Sequence, residues 1–177
     1  SNLVDAYKRS ELDTETGLGL YTLYSAISDR AQANESLRAN TAFCLGLDQG
    51  QTLISNEQLQ QFLMNERLSA TSETKGVRGL HLTLARFTLA TNQDQSWDLV
   101  ADTQSSQSQI IALKAALQDR AALRQMIHQD VELGNRALAC LVAGSDGLQA
   151  SGEEVVTVHH YANVLFNIQH EMQKRRD

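Results

Sequence analysis

Histidine, cysteine and arginine carry most of the chemistry this 177-residue chain could offer. His81, His128, His159, His160 and His170 are candidate metal ligands. A di-iron or di-manganese bundle needs paired Glu-x-x-His units, and a zinc hydrolase needs His-Glu-x-x-His. Neither pattern occurs. His159 and His160 are adjacent, so on a helix they would point about 100° apart. The histidines read as ordinary side chains, with a haem or metal role as the alternative. Cys44 and Cys140 lie far apart and have no ligand partner at metal spacing. They read as two buried thiols in helices, a disulfide between long helices or a redox role being the alternatives. There is no Walker sequence and no Gly-x-Ser-x-Gly elbow. Gly17 and Gly19 follow no expected strand, so they do not make a nucleotide fingerprint. These patterns imply no enzyme, no catalytic residue, no cofactor and no metal.

The arginines are more informative. Arginine occurs eleven times and lysine four. Arg78, Arg86 and Arg136 each interrupt or border an apolar stretch. An arginine at a helical interface is costly unless a carboxylate or an anion pairs with it. Its planar fork suits a small planar oxoanion. Arg78 and Arg136 are thus candidate ligand-binding residues for a small anion, and ion pairs within the protein or rim positions are the plainer reading.

Composition sets the elements that would position these groups. Apolar residues make up 42% of the chain, enough for one core, while proline is absent and only ten glycines occur. Ala, Leu, Gln and Glu are abundant, which favours helix. Apolar residues at Leu18, Leu20, Tyr21, Leu23, Tyr24, Ile27 and Ala31 predict one long helix from near Val4 to about Leu47, bent at the glycines. Ser55 with Gln58 is a capping box that opens a second helix. Residues 69–79 form a loop or a helical continuation. Leu80, Leu82 and Leu84 alternate as a strand would, though Ala85, Arg86 and Ala90 pull toward helix. From Trp97 to about Leu141 the spacing predicts a further long helix around a buried Trp97, with breaks near 103–108. Gly144-Ser-Asp-Gly is a turn. Ser151 with Glu154 is a second capping box, opening a last helix whose face carries Val155, Val158, Ala162, Leu165, Ile168 or Gln169, and Met172. The resulting expectation is an all-α fold: an elongated up-and-down four-helix bundle, with one or two short extra helices, over a single domain at 1–177.

Two stretches carry a resemblance. Thr74-Lys-Gly-Val-Arg-Gly-Leu-His-Leu (74–82) and Val131-Glu-Leu-Gly-Asn-Arg-Ala-Leu-Ala (131–139) resemble signatures of bacterial helical-bundle sensory domains of the nitrate- and nitrite-sensing type. Glu15-Thr-Gly is a third, poorer echo that lacks the arginine. The resemblance covers about 20 residues. It implies a receptor-attached helical bundle in which arginines on different helices clamp a small anion, here Arg78 and Arg136.

Net charge is −6 at a sequence pI near 5.3, and the one compact basic run is Lys174-Arg-Arg. Nucleic acid is therefore not an expected partner. No run of about 18 apolar residues is present, so a membrane enters only through flanking segments. Ser1-Asn2 looks like the scar of a removed tag, and the final helix reaches the last residues, which suggests a piece of a longer chain. The leading expectation is a periplasmic sensory domain, of chemoreceptor type, that binds a small molecule or anion and relays signal along its helices, with a homodimer compatible. The alternative is a cytoplasmic helical adaptor, regulator or secretion-chaperone-like interaction module.

Overall fold

The computed structural model describes residues 3–23, 38–47, 49–146 and 152–174. After a 3-10 turn at Leu3–Tyr7 come strands β1 (Lys8–Asp13), β2 (Leu18–Leu23), β3 (Arg38–Leu45) and β4 (Gln51–Leu53). Helix α1 (Asn56–Leu63) follows, then β5 (Glu73–Lys75), β6 (Leu82–Leu84) and β7 (Asp98–Ser106). The chain continues through α2 (Gln107–Ala116), α3 (Arg120–Asp146) and α4 (Glu154–Lys174). A five-stranded sheet has the order β5-β1-β2-β3-β7, and β4 pairs with β6 in a second sheet. Every pairing is antiparallel.

This mixed α/β fold overturns the all-α four-helix bundle and, with it, the resemblance to nitrate- and nitrite-sensing bundles. Residues 74–82 run from β5 to the start of β6 rather than along a helix. The helix expected over 4–47 is replaced by three strands, with residues 24–37 outside the described residues. The cause lies in how β2 and β3 are buried. Leu18, Leu20, Tyr21 and Leu23 fit a strand's two faces as well as a helical stripe. β3 is buried on both faces from Thr41 to Leu45, and a doubly buried strand reads as a continuous apolar run that periodicity cannot separate from helix. Between β1 and β2 the chain reverses at Gly17, whose φ of 76° is costly for other residues and whose N–H donates to the Asp13 carbonyl at 2.8 Å.

The helix expected from Trp97 to Leu141 also begins differently. Its first part is β7, a strand in which Leu99 is exposed. Trp97 itself is 52% exposed, beside Phe87, and not in the core. Opposite Asn40, β7 accommodates an extra residue: Gln104 takes φ 58° and its N–H donates to Asn40 Oδ1 at 3.1 Å. Ser106 then caps α2 through a reciprocal pair with Gln109, within the stretch where the sequence reading placed a break. Ser55 and Gln58 form the expected capping box on α1. Ser151 and Gly147 lie outside the described residues, and α3 runs through Gly144 to Asp146.

Two compact units divide the chain, Ser1–Arg124 and Gln125–Asp177. The first holds the core: Leu18, Phe43, Leu45, Leu53, Ile54, Leu117 and Leu123 are among its buried side chains. In it, α2 packs against β3 and β7. Lys114 pairs with Asp13 at 3.1 Å, and Arg120 donates to the carbonyls of Thr16, at 2.9 Å, and Cys44. Arg124 meets Asp98 at 2.6 Å. These contacts fix the helix start to the end of β3 and the β1–β2 turn. In the second unit, Val142 and Val164 are the buried apolar residues among those described. Among the described residues, no helix is long and apolar enough to cross a membrane.

Candidate interaction surface

Two places concentrate polar or apolar side chains in ways the core does not explain. The first is in the sheet unit. Ser10 on β1 and Tyr21 on β2 are cross-strand partners, with Thr74 of β5 on the other side of Ser10. Residues Gly79 to His81 pass close to this pair. A β-carbon on Gly79 would stand 2.6 Å from Tyr21 Cδ1 and closer still to Ser10 Oγ, so only glycine lets this segment approach.

Tyr21 Oη lies 2.7 Å from the Leu80 carbonyl and 3.2 Å from His81 Nδ1. The phenol has one proton, and the carbonyl can only accept it. His81 Nδ1 must therefore donate to Tyr21, which fixes the neutral tautomer and leaves the lone pair on Nε2. That Nε2 is buried without a hydrogen-bond partner. Burial pushes the Tyr21 phenol up to about 12 and lowers His81 below its ordinary value. Both groups are neutral near pH 7. The cluster ties the 79–81 segment to the sheet through two directed hydrogen bonds.

The second place is α4. At about 100° per residue, Val155, Val158, Ala162, Leu165 and Phe166 fall within an arc of about 100°. Val155, Val158 and Phe166 are 68%, 65% and 70% exposed. The more covered side chains are Thr157, His160, Tyr161 and Val164, on the opposite side of the helix. The usual amphipathic arrangement is thus inverted: the apolar stripe faces outward and a mostly polar stripe faces in. In α3, Met126, Val131, Leu133 and Leu141 are exposed as well. Residues 155–167 contain no Asp, Glu, Lys or Arg, so neither ion pairing nor charge repulsion governs this face.

The residues singled out from sequence fall as follows. Arg78 is exposed in the first unit, 3.3 Å from Asp5. Arg136 is exposed on α3 in the second. Arg86 is exposed after β6. Cys44 is buried and Cys140 exposed, both free, so they are not the pair of buried helical thiols expected. His128 and His159 are exposed on α3 and α4, and nothing is described of the His170 side chain. Among the described residues, no cluster of three or more His, Cys, Asp or Glu could hold a metal ion. Sequence reasoning found the stripe on α4 by its steps of three and four but assigned it to a core. It missed Tyr21 and Ser10, whose pairing across strands has no signature in a helical reading.

No protein-family model matches the chain, and no curated protein matches it. The fold is mixed α/β, and on α4 of its second, helical unit an apolar stripe is exposed. The five-stranded and two-stranded sheets overturn the expectation of a sensory, chemoreceptor-type bundle that relays a ligand signal along four long helices.

Proposed function

We propose that the chain is a protein-interaction module that docks a helix of a protein partner on the outward face of α4. The observation that carries this reading is the inverted amphipathy of α4. A solitary helix in water gains little from propensity, and most helical stability comes from packing an apolar face. Here that face is left open, and contiguous exposed apolar surface on a folded protein marks an interaction site. Helix-in-groove and helix-on-helix recognition use anchors spaced three and four residues apart, the spacing of Val155, Val158, Ala162 and Leu165. Two free thiols, one of them exposed, fit a reducing compartment such as the cytoplasm.

The test places the photo-reactive residue p-benzoylphenylalanine at Val158 in the intact chain, expressed in its native host. Irradiation is expected to give a discrete protein adduct that disappears in Leu165→Glu. Absence of any protein adduct, or an equal yield from the opposite face at Thr157, would overturn the proposal.

A further inference from the structure

Residues 76–81 form a strap that leads from β5 to β6 and passes over Ser10 of β1 and Tyr21 of β2. We infer that this strap is a proton-operated latch: protonation of His81 lets residues 76–81 lift locally from the sheet while the sheet itself stays folded. The latch lies in the first unit and does not depend on α4.

The hydrogen bonds decide which proton matters. Tyr21 Oη gives its proton to the Leu80 carbonyl, so His81 Nδ1 already donates to Tyr21. A further proton goes to Nε2. That atom is buried and has no hydrogen-bond partner among the described residues. Protonation there seals a charged N–H donor away from both water and an acceptor, a state relieved by moving the ring to solvent.

The strap is lightly held. Its Leu80 N–H donates to the Ile54 carbonyl at 3.2 Å, and the Leu80 carbonyl accepts from Tyr21 at 2.7 Å. Arg78 meets Asp5 at 3.3 Å from an exposed position, and such pairs contribute little. Val77 is 50% exposed, so it adds little apolar burial. At one end Gly76 stands at φ 73° in open space, and loop residues of this kind absorb the rotation of a hinge. Segments with few buried apolar contacts open at a fraction of the global cost.

The surrounding charges leave His81 as the group that titrates near neutrality. Alternation along the strands places Lys8 of β1 and Arg38 of β3 on the same sheet face as Ser10 and Tyr21. Arg38 stays charged and donates to the Gln104 carbonyl at 2.9 Å. Lys8 pairs with Asp5 at 2.7 Å, and its hydrogen bond is the main cause that holds the Asp5 carboxyl below 3.8. Burial pushes the Tyr21 phenol up to about 12. On β5, Thr74 is the residue paired with Ser10, and β4 and β6 carry no ionisable side chain. An open strap brings the Tyr21 phenol and the Ser10 hydroxyl to solvent, so acid uncovers a polar patch that is closed at neutral pH.

Native-state hydrogen exchange of the intact chain, followed by NMR from about pH 7 to pH 5 with and without low urea, tests this. The Leu80 amide, corrected for intrinsic exchange, should lose protection by up to about tenfold per pH unit below 6.5, the effect of one proton. The loss should level off below the lowered value in the folded chain. Low urea should hardly move Leu80, because a local opening exposes little surface, while the amides of β3 respond steeply. His81→Asn keeps a donor for Tyr21 but takes up no proton, so its Leu80 protection should not vary with pH. Should that variant fail to fold, the ring nitrogen shifts of His81 in the unaltered chain serve instead. They should show the Nδ1–H tautomer at neutral pH and titrate where Leu80 protection levels off. Protection that stays constant over this range, or that changes equally in His81→Asn, overturns the inference. So does a urea slope equal to that of β3, which means that the strap opens only with the whole sheet. An Nε2–H tautomer at neutral pH overturns it as well.

Discussion

Replacing Gln58 with alanine should unfold the first unit far more readily than a helix-cap change alone would. Gln58 is 1% exposed. Its Oε1 accepts from the N–H groups of Ile54, at 3.0 Å, and Ser55, at 3.2 Å, and from Ser55 Oγ at 3.3 Å. Its Nε2 donates to the Ser69 carbonyl at 2.9 Å. Loss of a cap interaction costs about 1 kcal/mol. The buried Ile54 N–H loses its Gln58 partner, and an unsatisfied buried group costs about 1–3 kcal/mol, whereas the half-buried Ser69 carbonyl keeps the Thr71 N–H at 3.1 Å. Gln58→Ala should therefore destabilise by about 2–4 kcal/mol. Gln58→Glu keeps the acceptor for the two N–H groups and favours the positive helix terminus, but it sets a carboxylate against the Ser69 carbonyl, so its loss should be smaller at low pH than at neutral pH. Urea unfolding followed by fluorescence of Trp97, the only tryptophan, reads both variants. A loss under about 1 kcal/mol for Gln58→Ala would refute the view that this side chain anchors α1 to the 69–71 segment.

Acid should weaken the fold in two windows. His81 is held below its ordinary 6.5 by burial, so the unfolded chain takes up its proton first and stability falls as pH drops below about 6.5, levelling off below the folded value. Burial alone would raise the Asp13 carboxyl, but hydrogen bonds from Thr16 and Lys114 outweigh it and lower it from 3.8; that contribution is present above 3.8 and is lost as pH falls through the lower folded value. Thermal melts of His81→Asn should lack the upper window, and a melt curve identical to that of the unaltered chain would contradict the assignment. Cys140 should react with a thiol reagent in the native protein and Cys44 only after unfolding, and equal native rates would be inconsistent with the burial of β3. Iodide should quench Trp97 readily, and protection like that of a core indole would contradict its place beside Phe87.

Parts of this fold were legible because their signals are local. The Ser55–Gln58 capping box needs four consecutive residues and was read correctly, and the last helix was found by its spacing. The sheet was not legible because its information is not local. β1 pairs Ser10 with both Tyr21 and Thr74, the second 64 positions away in sequence, and β7 is a polar edge strand set by its pairing to β3, by α2 packed on it and by the Arg124–Asp98 pair, all contacts distant in sequence or invisible to periodicity. β3 is buried on both faces from Thr41 to Leu45, so it lacks the alternation that marks a half-buried strand. The candidate surface was half legible. Spacing marked Val155, Val158, Ala162 and Leu165 as one stripe, but spacing says nothing of which way a stripe turns. The arginines illustrate the same limit. Arg120 is satisfied by backbone carbonyls, an outcome no search for carboxylate partners would find.

Hydrogen–deuterium exchange over α4, measured on the free chain and on the complex recovered from its native host, tests the central claim most directly. If a partner helix covers the outward face, amides from Val155 to Phe166 should exchange more slowly in the complex than in the free chain and return to the free rate in Val158→Glu. Equal rates in the two samples, unmoved by the substitution, would mean that the face docks no partner.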